Sequence, residues 1–225
     1  MTPAAKLPRQ LDALEKRYGP PPRPVPRSAL EWILWENAAY LVPDEKRAQA
    51  FAALKRATGL DPERIAGLPP HELRAWAETG GMNPGGRVEK VLAIAALVRE
   101  RFGGDLDGAL DGPLAKARAA LKRFPGIGDP GADKILLFTD RQPSLALESN
   151  GLRTLLRLGY GRQEKGYAAT YRSVQRALEP AVGRGLPFLR RAHDLLRRHG
   201  QELCKNSAPR CEACPLAAGC PTASS

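Results

Sequence analysis

Long apolar runs are missing from this chain of 225 residues. No stretch approaches the roughly 18 apolar residues that a membrane-spanning helix needs. The N-terminus, with its prolines and early charges, lacks the pattern of a signal peptide. The two absences together lead to the expectation of a soluble, cytoplasmic protein with no membrane partner. Alternating apolar and polar runs bounded by turn residues are also lacking, as is any internal repeat, which argues against sheets and repeat architectures. Acidic residues are in short supply: 24 Asp and Glu against 35 Lys and Arg leave a formal charge of +11 and a pI of about 9.9. Such a balance suits a polyanionic partner, although solvated arginine on helix faces accounts for part of it. With 43% hydrophobic residues the chain can bury one good core or two small ones.

What is present is helical. Leu7, Leu11, Leu14 and Tyr18 put an apolar stripe on a basic helix over 3–18, and the proline-rich segment 19–26 then serves as a linker. Ser28-Ala-Leu-Glu31 is a capping box opening an apolar helix through Val42, and in the run Trp32–Val42 Glu36 is the only charge. Asp44 caps a further helix, and Asp61-Pro62 and Pro69-Pro70 open two short ones. Gly80-Gly-Met-Asn-Pro-Gly-Gly86 is a loop with enough glycine to let a ligand backbone approach closely. A long amphipathic helix follows it. Ser144–Glu148 is extended or looped, Ser149 or Asn150 caps the next helix, and two more helices lead to the cysteines.

Two stretches carry chemistry. In Phe124-Pro-Gly-Ile-Gly-Asp-Pro-Gly-Ala-Asp-Lys-Ile-Leu136, Gly126 and Gly128 break one helix and free the backbone for positive φ. Asp129 is a suitable N-cap and Pro130 a suitable first residue for the next helix. A hairpin of this kind leaves backbone N–H groups at the positive end of a helix dipole, which is an anion site. The same pattern also describes a plain αα-corner whose glycines serve close packing. The second stretch holds all four cysteines, Cys204, Cys211, Cys214 and Cys220, within 17 residues and spaced C-x6-C-x2-C-x5-C. Thiols so close favour a metal over disulfides, and four of them suit zinc or an iron–sulfur group equally.

The Phe-Pro-Gly-Ile-Gly hairpin followed by Ala132 and Ile135-Leu136 resembles the helix-hairpin-helix of DNA glycosylases of the endonuclease III superfamily. The cysteine spacing resembles the iron–sulfur loop of endonuclease III and the adenine-mismatch glycosylases. Its flanks, His199-Gly200, Pro209-Arg-Cys211 and Cys214-Pro-Leu-Ala-Ala-Gly-Cys220, do as well. The resemblance runs from about Ser28 to Cys220. It implies an all-α fold of two helical lobes, with the helix-hairpin-helix in a six-helix lobe over 28–140. A discontinuous cluster lobe would comprise 1–27 and 141–225. It implies a four-iron, four-sulfur cluster on the four cysteines and double-stranded DNA, carrying a damaged or mismatched base, in the groove between the lobes. A monomeric, nucleoid-associated protein of base excision repair is expected. Gly126, Ile127, Gly128, Lys134, Lys205 and Arg210 are the candidate phosphate contacts, and Tyr40 and Leu41 the candidates for a wedge into the duplex.

The chain departs from the family at the chemistry. The family's Schiff-base lysine falls two residues after the second hairpin glycine, where this chain has Pro130. A monofunctional glycosylase, releasing the base without efficient strand cleavage, is therefore expected. Lys134, one helical turn on, is read as a solvated or phosphate-binding lysine. The family's catalytic aspartate frame reads Ala146-Leu-Glu148-Ser-Asn150-Gly-Leu-Arg153, with glutamate in the aspartate position. Glu148 is the expected stabiliser of the sugar cation, or else a complement to a helix N-terminus. Glu36 resembles the glutamate with which adenine-mismatch glycosylases protonate the leaving base, and the alternative is a glutamate held by structural hydrogen bonds. A catalytically silent DNA-binding iron–sulfur protein is the competing reading.

Overall fold

The computed structural model describes residues 3–223. These form twelve α-helices and two short 3-10 turns, at Cys211–Ala213 and Ala217–Gly219. The only pairing outside helices is an isolated bridge between Tyr40 and Gly81 among the described residues. The all-α expectation is met. The chain divides into two compact units, one of 24–139 and the other of 1–23 with 140–225.

The unit of 24–139 contains α2 (Ala29–Ala38), α3 (Asp44–Thr58), α4 (Pro62–Gly67) and α5 (Pro70–Thr79), after α1 (Pro3–Tyr18) of the other unit. It continues with α6 (Pro84–Phe102), the four-residue α7 (Leu106–Ala109), α8 (Leu114–Leu121) and α9 (Asp129–Phe138). Ser28 caps α2 as its sequence predicts, its Oγ accepting from Glu31 N at 3.1 Å. Glu31 turns back to accept from Arg27 N, one residue before the cap, and also pairs with Lys55. Helix α2 stops at Ala38 rather than Val42. Ala39 is extended, and Tyr40 N donates to Gly80 O at 3.1 Å, so the chain leaves the helix to pair with the loop before α6. The carbonyls of Trp35 and Glu36, near the end of α2, are taken up by Arg47 Nη1.

The glycines of 80–86 serve the protein's own packing. A Cβ on Gly80 would sit 2.2 Å from Ala38 O, so the close approach expected of a ligand is made by α2. Asn83, at φ +57, caps α6 through Gly86 N, which places Gly85 and Gly86 inside the first turn. Arg87 is buried, and its guanidinium donates to the carbonyls of Ala77, Gly80 and Met82. Burial and the neighbouring Arg47 lower its pKa. This inward-facing guanidinium holds the loop that ends α5.

The other unit contains α1, α10 (Ser149–Arg157), α11 (Tyr167–Val182) and α12 (Leu186–Glu202). Leu7, Leu11 and Leu14 of α1 are fully buried, as their spacing predicts. Each contributes roughly 1.5–3 kcal/mol of burial. Helices α10 and α12 meet where Gly200 faces Asn150: a Cβ on Gly200 would lie 2.5 Å from Asn150 O. The extended segment before α10 is pinned to α12 by a 2.7 Å contact between His193 Nδ1 and Ala146 O.

Candidate functional site

The hairpin between α8 and α9 is built by one positive-φ glycine, not two. Gly126 has φ +74, and a Cβ there would also crowd Asn37 Oδ1 at 3.1 Å. Gly128 is extended at φ −94 and acts as the N-cap of α9, so Asp129 enters the first helical turn instead of capping it. The Asp129 carboxylate pairs across the hairpin with Lys122 at 2.6 Å, while Arg118 reaches the buried Asp133 at 3.1 Å. A charge fully buried on α9 was not foreseen from the apolar pattern. Asn37, which the sequence did not single out, donates to Pro125 O at 2.9 Å and ties the hairpin to α2.

Ile127 is buried, and its N–H donates to Phe124 O at 3.1 Å. It anchors the hairpin and has no N–H left for a phosphate, contrary to its expected role. Among the described residues no acceptor takes the N–H groups of Gly126 and Gly128, both of which are exposed. With α9 starting here and Arg123 exposed just after α8, these N–H groups can meet an anion.

Lys134 is not a solvated lysine. Its Nζ lies 2.7 Å from Glu36 Oε1 and 4.8 Å from the centre of the Trp32 ring. Trp32 in turn packs on Phe138. The pair is partly buried, with side-chain exposures of 15% for Lys134 and 29% for Glu36. Glu36 therefore faces the Lys134 ammonium rather than an apolar pocket. Tyr40 and Leu41 stand out at 61% and 73% exposure, and Leu41 adopts a strained φ of +54. The bridge to Gly81 brings the equally exposed Met82 onto the neighbouring strand of backbone.

Glu148 is itself the N-cap of α10, the position assigned from sequence to Ser149 or Asn150. Its Oε1 accepts from Gly151 N at 2.6 Å and its Oε2 from Asn150 Nδ2 at 2.8 Å. A Cβ on Gly151 would make only ordinary contacts, the nearest at 3.6 Å from Glu148 Oε1, so the longer carboxylate reaches the helix N-terminus without needing the glycine. From Asn150 the hydrogen bonds continue inward. Arg153 Nη2 donates to Asn150 Oδ1 and to Gly200 O, both at 2.8 Å, and Arg153 Nε donates to Cys204 O at 2.9 Å. Glu148, Asn150 and Arg153 thus form one chain of contacts between the carboxylate and the start of the cysteine loop. The electrostatic field of Glu148 also reaches Tyr167, whose pKa is raised by burial and by that carboxylate.

All four cysteines line one cavity enclosing about 390 Å³ of space, part of it open to solvent, together with Arg157, His199 and Arg210. Among the described residues no three His, Cys, Asp or Glu side chains converge on the point that a single ion would occupy. Two N–H groups approach the sulfurs: Leu216 N lies 3.4 Å from Cys214 Sγ and Arg157 Nη1 3.4 Å from Cys204 Sγ. His199 Nε2 lies 3.5 Å from Cys214 Sγ. Burial lowers the His199 pKa to about 4. Arg210 and Lys205 lie beside the loop, with Arg210 exposed.

The described residues thus combine an all-α fold with a helix-hairpin-helix, a carboxylate-capped helix and a four-cysteine loop. No family model matches the chain. It is 24% identical over 156 residues to a thymine/uracil-DNA glycosylase of Pyrobaculum aerophilum and 26% identical over 155 residues to an endonuclease III of Treponema pallidum. Each match takes in 69% of this chain, and the chain spans 64% and 66% of the length of those relatives. A solved endonuclease III–DNA covalent intermediate superposes with a TM-score of 0.77, covering 100% of this chain and 98% of that one at 19% identity. The chain is similar to endonuclease III and related glycosylases in sequence, and it shares the fold of endonuclease III.

Proposed function

We propose that the protein is a monofunctional DNA glycosylase of base excision repair, releasing a damaged or mismatched base from duplex DNA without efficient strand cleavage. The observation that carries this is the Glu148 carboxylate, fixed at the N-terminus of α10 by Gly151 N and Asn150 Nδ2. A flipped nucleotide gains positive charge on its sugar as the base departs, and a carboxylate whose position is already set stabilises that charge without reorganising. The relatives named above are glycosylases or endonucleases of DNA, which supports the same reading.

Monofunctional character follows from the amines. Pro130 has none, and Lys134 is engaged with Glu36. Lys134 then acts by neutralising and orienting Glu36 rather than by binding phosphate, and Glu36 is a structural partner before it is an acid. Gly126 and Gly128 offer backbone N–H groups to a phosphate, and Arg210 and Lys205 add charge. Tyr40, Leu41 and Met82 are the apolar tips that enter the duplex.

Cys204, Cys211, Cys214 and Cys220 would hold a four-iron, four-sulfur cluster. A tetrahedral zinc ion draws four sulfurs in at about 2.3 Å. The four thiols line one cavity, with N–H groups directed at two of the sulfurs, and this donor set suits an iron–sulfur cluster. The cluster would cross-link α12 to the loop that follows it.

The replacement of lysine by Pro130 favours a second reading, a DNA-binding iron–sulfur protein that has lost catalysis. Incubation with duplexes bearing oxidised, alkylated, deaminated and mismatched bases decides between the two. Heat-labile abasic sites support the enzyme. Binding to every duplex with no base released supports the second reading.

A further inference from the structure

Three residues from separate segments line up beside the cysteine loop. The Tyr18 hydroxyl, at the end of α1, lies 3.0 Å from His199 Nδ1, and His199 Nε2 lies 3.5 Å from Cys214 Sγ. His199 is 2% exposed and Tyr18 9%, so both ring nitrogens depend on protein partners. In a neutral imidazole one nitrogen donates and the other accepts, and the partner of the first fixes the role of the second. A metal-bound cysteine sulfur carries lone pairs and no proton. It therefore favours the tautomer with Nε2–H toward it, which leaves Nδ1 to accept from the phenol. The opposite tautomer sets a nitrogen lone pair against the sulfur.

We propose that Tyr18 and His199 are a positioning pair for the cluster: Tyr18 holds His199 in the tautomer whose Nε2–H donates to Cys214, and this bond raises the cluster's reduction potential. The proposal rests on the iron–sulfur reading of the four cysteines. An N–H directed at a ligand sulfur withdraws negative charge from it and so favours the reduced cluster, and partners of this kind tune the metal nearly as strongly as its ligands do. Tyr18 is itself firmly placed. Arg198 Nη1 donates to its carbonyl at 2.9 Å, and the Arg198 guanidinium lies 5.0 Å over its ring. The consequence is that the N-terminal helix, far from the cysteines in sequence, sets an electronic property of their site.

The test compares iron-loaded natural protein with Tyr18→Phe, which keeps the ring and removes only the hydroxyl. The expected result is unchanged iron content and a midpoint potential, measured by voltammetry on the DNA-free protein, shifted to more negative values. His199→Phe should shift it in the same direction, and His199→Gln, which retains an N–H donor, should restore part of the natural value. Should His199→Phe not fold, Tyr18→Phe decides alone. Iron-loaded Tyr18→Phe with the natural potential overturns the proposal while leaving the cluster in place. Protein that binds zinc and no iron overturns the cluster reading and this proposal with it.

Discussion

Lys134 Nζ and Glu36 Oε1 are 2.7 Å apart, joining α9 to α2 directly behind the hairpin. Where the resemblance to endonuclease III places an amine this chain has Pro130, and the nearest lysine along the helix is held by a carboxylate. A partly buried pair of this kind is costly to break from one side, because the remaining charge is left without its partner.

The first expectation follows from that pair. Borohydride should trap no covalent protein–DNA adduct during turnover of a base lesion. Glu36→Gln releases Lys134, so a trapped adduct that emerges only in this variant would identify the ion pair as what restrains the amine. Efficient trapping with the natural protein would contradict the monofunctional reading.

Gly126 and Gly128 separate geometry from binding. Gly126→Ala forces a side chain into φ +74 and against Asn37, and should cost roughly 1–2 kcal/mol in thermal or denaturant unfolding. Gly128 is extended, and a Cβ there meets only Pro130 Cδ at 3.8 Å, so Gly128→Val should fold normally. Its affinity should fall alike for every duplex, because phosphate contacts carry no base information. Unchanged affinity would make the hairpin a packing element.

Gly200 should tolerate no side chain. Gly200→Ala places a methyl 2.5 Å from the Asn150 carbonyl and should destabilise the protein by about 1–3 kcal/mol, measured by chemical denaturation. The same shift displaces Asn150 from Glu148, so base release should fall by more than the loss of folded protein explains. A stable, fully active variant would show that the packing of α10 on α12 does not set the carboxylate.

Much of this architecture was legible in the residues. The stripe Leu7–Leu11–Leu14, the Ser28 cap and the buried Ala132, Ile135 and Leu136 follow from helical periodicity and capping chemistry alone. Where the structure differs, contacts between elements distant in sequence account for Gly80 and Lys134, and hairpin geometry for Asp129. Glycines 80–86 read as a ligand loop because nothing local shows that Ala38 O occupies the space at Gly80. Lys134 read as solvated because its angular position sets it opposite Ala132 and Ile135, and Glu36 is 98 residues away. Asp129 read as a cap because its type suits one, but Lys122 across the hairpin claims its carboxylate. At Glu148 the residue type is visible, whereas its capping bonds to Gly151 N and Asn150 Nδ2 are seen only in the structure.

Metal analysis addresses the cysteine site by itself. Purified protein should be yellow-brown with four irons per chain, the composition of the proposed cluster, and Cys211→Ser should lose both colour and iron. One zinc and no iron would contradict the cluster while leaving the fold untouched.

The central claim is that the fixed Glu148 carboxylate stabilises the sugar cation, and Glu148→Gln measures it most directly. Glutamine keeps the shape and can still accept from Gly151 N, but it carries no charge. Single-turnover base release, read as heat-labile abasic sites on the best duplex substrate, should fall about 10²–10³-fold. DNA affinity should stay nearly unchanged, because the ground-state sugar is uncharged. Base release at the natural rate by the Gln variant would contradict the account and leave Glu148 as a helix cap alone.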